Sequence, residues 1–230
     1  MTAGGAYRLR SKKHPMPRIR LAVFDIDGTL RRVRSPWWHL HEHLGLAEAA
    51  REFGPRFERG EITYEEWADL DARLWRGRSR GEIAGALASN PLRDGAAELV
   101  RWFRDRSIPC VAISTGLSVF AAATAEALGL DEVVCNDLEF DGERCRGEVT
   151  VRVTEHNKAQ VLRDVLGRRG ARAREVAAFG DGPADLAMLQ AAGIGVAVCP
   201  SDPRVRAAAD YVVEAEPIDR IVEVLERWVT

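Results

Sequence analysis

The stretch Leu21-Ala22-Val23-Phe24-Asp25-Ile26-Asp27-Gly28-Thr29-Leu30 constrains this chain more than any other. Its four leading apolar residues read as a buried strand. Two aspartates follow with one residue between them, and residues i and i+2 of an extended chain point the same way. Asp25 and Asp27 are therefore expected to project together from the strand's C-terminal edge. Like charges that close are unfavourable unless a cation or a proton lies between them. Gly28 permits a sharp departure of the backbone. Open α/β sheets bind ligands at the carboxyl ends of their strands, so the pair suggests Mg2+-assisted phosphoryl transfer with one aspartate as nucleophile. Asp-x-Asp-Gly also occurs in plain turns and in calcium loops. An EF-hand loop wants a glutamate at its twelfth position, and counting from Asp25 that position is Pro36.

The rest of the chain bounds the possibilities. With 230 residues it can bury a core of one domain plus an insertion. A formal net charge of −2 creates no general attraction for nucleic acid or membrane. No apolar run approaches the roughly 20 residues of a membrane span, and no signal-peptide core follows the basic N-terminus. Cys110, Cys135, Cys145 and Cys199 lack metal-site spacing and read as reduced thiols of a cytoplasmic protein. Lysine occurs only at Lys12, Lys13 and Lys158 in a chain otherwise rich in arginine, which singles out Lys158 as a compact ammonium.

Residues 1–18 read as a flexible tail. Residues 34–89 differ in texture from what flanks them. They hold Trp37, Trp38, Trp67 and Trp75, and helical periodicity over Pro36–Leu44, Leu46–Glu58, Thr63–Trp75 and Ser79–Ala88. Thr63 with Glu66 and Ser79 with Glu82 fit capping boxes. His39, His41 and His43 alternate, which is not helical metal-pair spacing, and are expected on a wet surface or facing substrate. Residues 19–33 and 90–230 alternate strands with helices: a strand over Ile108–Ile113, a short strand over Glu132–Cys135, a hairpin from Leu138–Phe140 to Val149–Val153, strands over Val176–Phe179, Ile194–Val198 and Tyr211–Val213, and a closing amphipathic helix over Ile218–Val229. This is the pattern of a doubly wound α/β protein, a mostly parallel sheet core carrying a small helical insert.

Chemistry-bearing residues recur at the same place in that pattern. Asp25 and Asp27 end one strand, Ser114-Thr115-Gly116 a second and Asp181 a third, with Asp185 four residues on; Lys158 opens a helix. A parallel sheet gathers its strand C-termini on one edge, so these residues converge. Carboxylates suit Mg2+, which takes oxygen ligands from one or two carboxylates, phosphate and water. One aspartate can attack phosphorus and the other can carry the proton. Ser114 and the amides of Thr115 and Gly116 can bond phosphoryl oxygens, and Lys158 can neutralise their charge.

The set resembles the haloacid dehalogenase superfamily, and within it the phosphoserine-phosphatase-like branch (subfamily IB). The resemblance is carried by Asp25-Ile26-Asp27-Gly28-Thr29-Leu30, Ile113-Ser114-Thr115-Gly116, Asn157-Lys158, Gly180-Asp181-Gly182-Pro183-Ala184-Asp185-Leu186 and the hairpin Asn136-Asp137-Leu138-Glu139-Phe140. It implies a Rossmann-like core with a C1-type α-helical cap over 34–89, and Asp25 as nucleophile with Asp27 as acid/base. It implies Ser114, Thr115, Gly116 and Lys158 around the phosphate. Mg2+ would be held by Asp25, the Asp27 carbonyl and Asp181, with Asp185 in support. In that branch a glutamate shortly after the motif faces the substrate ammonium; here the stretch reads Arg31-Arg32-Val33-Arg34-Ser35. Ala184 stands where an asparagine is usual. These departures, with Trp37, Trp38, Trp67, Trp75, Asp71 and Arg34 in and beside the insert, and Arg34, Trp38 and Asp71 as candidate substrate contacts, point the expectation to a sugar or cyclic polyol phosphate, hydrolysed through an aspartyl-phosphate by a monomer or homodimer. Phosphoserine phosphatase, a phosphomutase on the same core and a non-catalytic phospho-ligand-binding protein are the alternatives.

Overall fold

The computed structural model describes residues 7–8 and 18–229. Its strands, in chain order, are β1 (Tyr7–Arg8), β2 (Leu21–Phe24), β3 (Cys110–Leu117), β4 (Glu132–Asp141), β5 (Arg144–Thr150), β6 (Val176–Gly180), β7 (Ile194–Val198) and β8 (Tyr211–Val213). They form one eight-stranded sheet in the order β1-β8-β7-β6-β2-β3-β4-β5. All neighbours from β8 to β4 are parallel, and β1 and β5 add antiparallel edges. The α/β class expected from the alternation of elements is the observed one.

Strand β2 lies at the centre because it is apolar on both faces. Ala22 and Phe24 enter one hydrophobic cluster and Leu21 and Val23 the other, as a period of two requires. Phe24 stacks on Phe179 at 4.7 Å and meets the edge of Phe103 at 6.0 Å. The first cluster takes Leu99, Val100 and Phe103 from one helix (Ala96–Arg104) and Ala121 from another (Ser118–Leu128). The second takes Val161, Leu162 and Val165 from the helix Lys158–Arg169, and Met188 and Leu189 from Leu186–Ala191. Burying such a Leu or Phe contributes roughly 1.5–3 kcal/mol each.

Between β2 and the helix Ala96–Arg104 lie α1 (Pro36–His43), α2 (Ala47–Ala50), α3 (Phe53–Glu58), α4 (Tyr64–Leu74) and α5 (Arg80–Ala84). Both capping boxes are present, at Thr63/Glu66 and Ser79/Glu82. Trp37, Leu40, Ala72, Trp75 and Ile83 form a third apolar cluster with Leu117, Phe120 and Leu138. The insert is therefore packed onto the end of β3 and β4.

Several elements depart from expectation. The helix foreseen over 46–58 is two pieces, because Pro55 lacks an N–H and is tolerated only in the first turn of α3. Strand β4 is continuous through Asn136-Asp137, where the sequence suggested a break, because the Asn136 side chain accepts from the backbone of Arg152 and Val153. The closing helix is mostly 3-10, though Ile218, Ile221, Leu225 and Val229 still keep one buried face. A helix over Pro203–Ala208, capped by Asp202, was not anticipated. The tail foreseen over 1–18 lies mostly outside the described residues, but Tyr7–Arg8 are a strand on β8, whose edge offers unpaired backbone groups.

Candidate active site

The site lies where β2, β3 and β6 end. Asp25 follows β2 directly, and its backbone N–H still donates to Phe179. The chain then turns, with Gly28 at φ +93°. A Cβ at Gly28 would stand 2.3 Å from Asp181 Oδ2, so the residue must be glycine both for its conformation and for the closeness of that carboxylate.

Lys158, wholly buried at the start of its helix, bridges two acids. Its Nζ donates to Asp25 Oδ1 at 2.5 Å and to Asp185 Oδ1 at 2.7 Å. Asp185 Oδ2 in turn accepts from the amides of Asp181 and Gly182. Asp181 accepts from Thr29 Oγ1 at 3.2 Å and from Arg34 Nε at 2.9 Å. Asp27 Oδ2 accepts from Ser114 Oγ at 2.8 Å, and Ser114 Oγ accepts from the Gly116 amide at 2.8 Å. A Cβ at Gly116 would come within 2.4 Å of Asp27 Oδ2.

Two carboxylate oxygens, Asp25 Oδ2 and Asp27 Oδ1, are buried without a hydrogen-bond partner. An unpaired buried polar atom costs about 1–3 kcal/mol, and in a native protein it calls for an explanation such as a ligand or a catalytic role.

The electrostatics follow from burial. Burial raises the Asp25 pKa well above the ordinary carboxylate value; Lys158 opposes this, while Asp185, Asp181 and Asp27 add to it. Burial lifts Asp27 to about 6 against the lowering effect of its Ser114 hydrogen bond and of Lys158. Burial and Asp185 raise Asp181, and the Arg34 contact pulls the other way. For Lys158, burial works against the charge, but Asp185 and Asp25 outweigh it and hold the ammonium above its usual pKa.

Carboxylate oxygens of Asp25, Asp181 and Asp185 all lie within 4.8 Å of one another. Hard oxygen donors at that spacing fit a Mg2+-sized cation, and Asp25 also keeps one buried oxygen, Oδ2, without a partner. The Asp27 side chain stands outside this trio, so a place for Asp27 in the metal site would rest on its backbone carbonyl.

The structure thus brings together Asp25, Asp27, Ser114, Thr115, Gly116, Lys158, Asp181 and Asp185, with Arg34 at their edge. It does not bring Trp38 and Asp71 there. Trp38 is 41% exposed and its Nε1 donates to Glu42 on its own helix. Asp71 is buried inside the insert, where Oδ1 lies 2.8 Å from His41 Nε2. Trp75 Nε1 donates to His41 Nδ1 at 3.2 Å, which leaves the ring proton on Nε2, facing Asp71. His41 is therefore interior and not on the expected wet surface, because the 3.6-residue period of α1 turns it inward beside Trp37 and Leu40. Tyr64 and Asn136 are not marked by the sequence as site residues, and Trp37 is marked only as a possible substrate contact, yet all three reach the Thr115 carbonyl. Tyr64 opens α4 just after its cap, a position with no periodic signal.

A cleft of about 580 Å3 lined by Arg20, Arg169, Arg172 and Glu175 lies at the opposite edge of the sheet, where β2 starts, and holds none of these residues.

Residues 22–190 match the model of the haloacid dehalogenase-like hydrolase family. The phosphoserine phosphatase of Halobacterium salinarum is 31% identical over 90% of this chain and 97% of its own length. That of Archaeoglobus fulgidus is 31% identical over 77% of this chain, but this chain spans only 52% of its length. A probable phosphoserine phosphatase from Vibrio cholerae superposes with a TM-score of 0.80 at 25% identity, over 92% of this chain and 66% of that one. The chain belongs to the haloacid dehalogenase-like hydrolases, on their phosphoserine-phosphatase-like side.

Proposed function

We propose that this chain is a Mg2+-dependent phosphoric monoester hydrolase and that its substrate is O-phosphoserine. The observation that carries the chemistry is Asp25, with Oδ1 tied to Lys158 and Oδ2 buried and unpaired. Asp25 Oδ2 attacks phosphorus, the ester oxygen leaves and an aspartyl-phosphate forms. Asp27, its pKa lifted to about 6, gives the leaving oxygen a proton and then takes one from the water that cleaves the aspartyl-phosphate. Ser114, Thr115 and Gly116 bind phosphoryl oxygens, and Lys158 balances charge on Asp25 and the phosphoryl group. Asp25 and Asp181, with the Asp27 carbonyl, would hold Mg2+, and Asp185 would orient Lys158. The metal would offset negative charge on the phosphoryl oxygens. The helical segment 34–89 acts as a cap that excludes water.

Phosphoserine is supported by the names of relatives at 31% identity. The sugar or polyol phosphate expectation loses its footing with its tryptophans. Trp75 is wholly buried, Trp38 lies on the surface, Trp67 stacks on Phe57 at 5.0 Å, and Trp37 is buried with its N–H already given to the Thr115 carbonyl. Phosphate release with Mg2+ across a panel of phosphoserine, sugar phosphates and p-nitrophenyl phosphate tests the reading. The expected result is a kcat/KM for phosphoserine at least about tenfold above the others, a difference of about 1.4 kcal/mol in transition-state binding. A sugar phosphate at the head of the series would overturn the substrate; phosphate retained on the organic product would favour a mutase.

A further inference from the structure

Strand β3 is irregular where it enters the site. Ile113 pairs with Val134 and Leu117 with Asn136, so Ser114, Thr115 and Gly116 lie opposite the single residue Cys135. Such a bulge takes backbone groups out of the ladder and re-aims them. The Thr115 carbonyl is one of these, and buried backbone carbonyls find partners elsewhere. It accepts from Trp37 Nε1 at 3.0 Å, from Tyr64 Oη at 3.3 Å and from Asn136 Nδ2 at 2.9 Å. Trp37 and Tyr64 come from α1 and α4 of the insert; Asn136 comes from β4 of the core. The two N–H groups of Asn136 Nδ2 face the Thr115 and Val153 carbonyls at 2.9 Å each, so its 3.4 Å approach to Tyr64 Oη is at most a shared bond, and the phenol gives its own proton to Thr115.

The same peptide unit continues toward the chemistry. On the far side of the Thr115 carbonyl is the Gly116 N–H, which donates to Ser114 Oγ, and Ser114 Oγ donates to Asp27 Oδ2. Donors on the carbonyl polarise the peptide and strengthen the bond its N–H makes, and they fix the plane in which that N–H points. The insert's other polar ties to the core, such as Arg34 to Asp181 and the backbone bonds of residues 77–80 to the β4–β5 hairpin, do not touch this peptide, and the apolar packing on Leu117 and Leu138 is non-directional and does not set a peptide plane.

We infer that Tyr64 and Trp37 are positioning residues: by donating to the Thr115 carbonyl from the insert, they set the peptide whose Gly116 amide holds Ser114 against Asp27, so that the proton-carrying aspartate is in register only while the insert is seated. The inference rests on the roles proposed for Asp27 and Ser114, but its structural half can be tested without them. Tyr64→Phe removes one donor and keeps the ring that meets Phe57 and Trp67. Its kcat is expected to fall about tenfold with KM held within about twofold, since loss of alignment acts on the chemical step more than on binding. In the isotope-labelled protein, the Thr115 carbonyl carbon and Gly116 amide nitrogen signals move upfield. Trp37→Phe, in which apolar packing also changes, is expected to shift the same two signals further, because its bond is the shorter. Unmoved Thr115 and Gly116 signals in a folded Tyr64→Phe protein overturn the inference whatever the activity. Moved signals with an unchanged kcat overturn its catalytic half. A wild-type protein with no turnover, but with the signals moving as described, would sink the proposed function and leave the positioning intact.

Discussion

The edge of the sheet and the interior of the insert each contain a buried carboxylate facing a nitrogen base, and they are built for different ends. At the sheet edge Lys158 is shared between Asp25 and Asp185, and two carboxylate oxygens remain unpaired. In the insert Asp71 meets His41 and His41 meets Trp75, and none of the three is among the residues with a fully buried polar atom that lacks a hydrogen-bond partner. A satisfied buried network specifies a packing arrangement; an unsatisfied one is held open at an energetic cost that a ligand relieves. Burial of polar side chains alone does not separate the two. The orphaned oxygens do.

The largest effect that can test this contrast is Asp25→Asn. It keeps size and shape but removes the attacking oxygen, so turnover of any phosphomonoester is expected to fall by about 10⁴-fold or more while the folded state persists. Residual activity near wild type would deny Asp25 its role. Asp71→Ala should do the reverse. It leaves the His41 N–H without an acceptor and costs about 1–3 kcal/mol in denaturant unfolding, while kcat/KM per folded molecule stays within about twofold. A tenfold rise in KM with stability intact would return Asp71 to the substrate. The smallest effect is at the insert's surface. Glu82 is exposed, and its hydrogen bonds to the Ser79 backbone and side chain hold its pKa down to about 2 from an ordinary 4.5. A carboxyl with a lowered folded-state pKa contributes stability above its ordinary value, and this is lost as pH falls toward 2. The difference in melting temperature between wild type and Glu82→Gln should therefore shrink between pH 4.5 and 2 and be constant above that range. A difference that grows on acidification would break the capping account.

How much of this was legible beforehand differs between the two regions for the same reason that their polar networks differ. Asp25, Asp27, Ser114 and Asp181 are read from strand ends, and Lys158 and Asp185 from the helix starts beside them, and a parallel sheet carries that local pattern into three dimensions by rule. The capping boxes of α4 and α5 are equally local, each spanning four residues. Inside the insert no such rule operates. Trp38 and Trp37 are adjacent in sequence, but one faces solvent and the other reaches Thr115. Asp71 and His41 are thirty residues apart, and nothing in either neighbourhood announces the pair.

The chain's own order of residues was thus enough for the α/β class, the convergence of acids and lysine on one sheet edge, and the turn at Gly28. Those depend on period, on charge and on the conformational freedom of glycine, which are properties of short stretches. Only the tertiary structure decided that the β3 bulge frees the Thr115 carbonyl, that Trp37, Tyr64 and Asn136 share it, and that Asp71 belongs to the interior. Each of those depends on which surfaces of helices distant in sequence are pressed together, and that is settled by packing of the whole core.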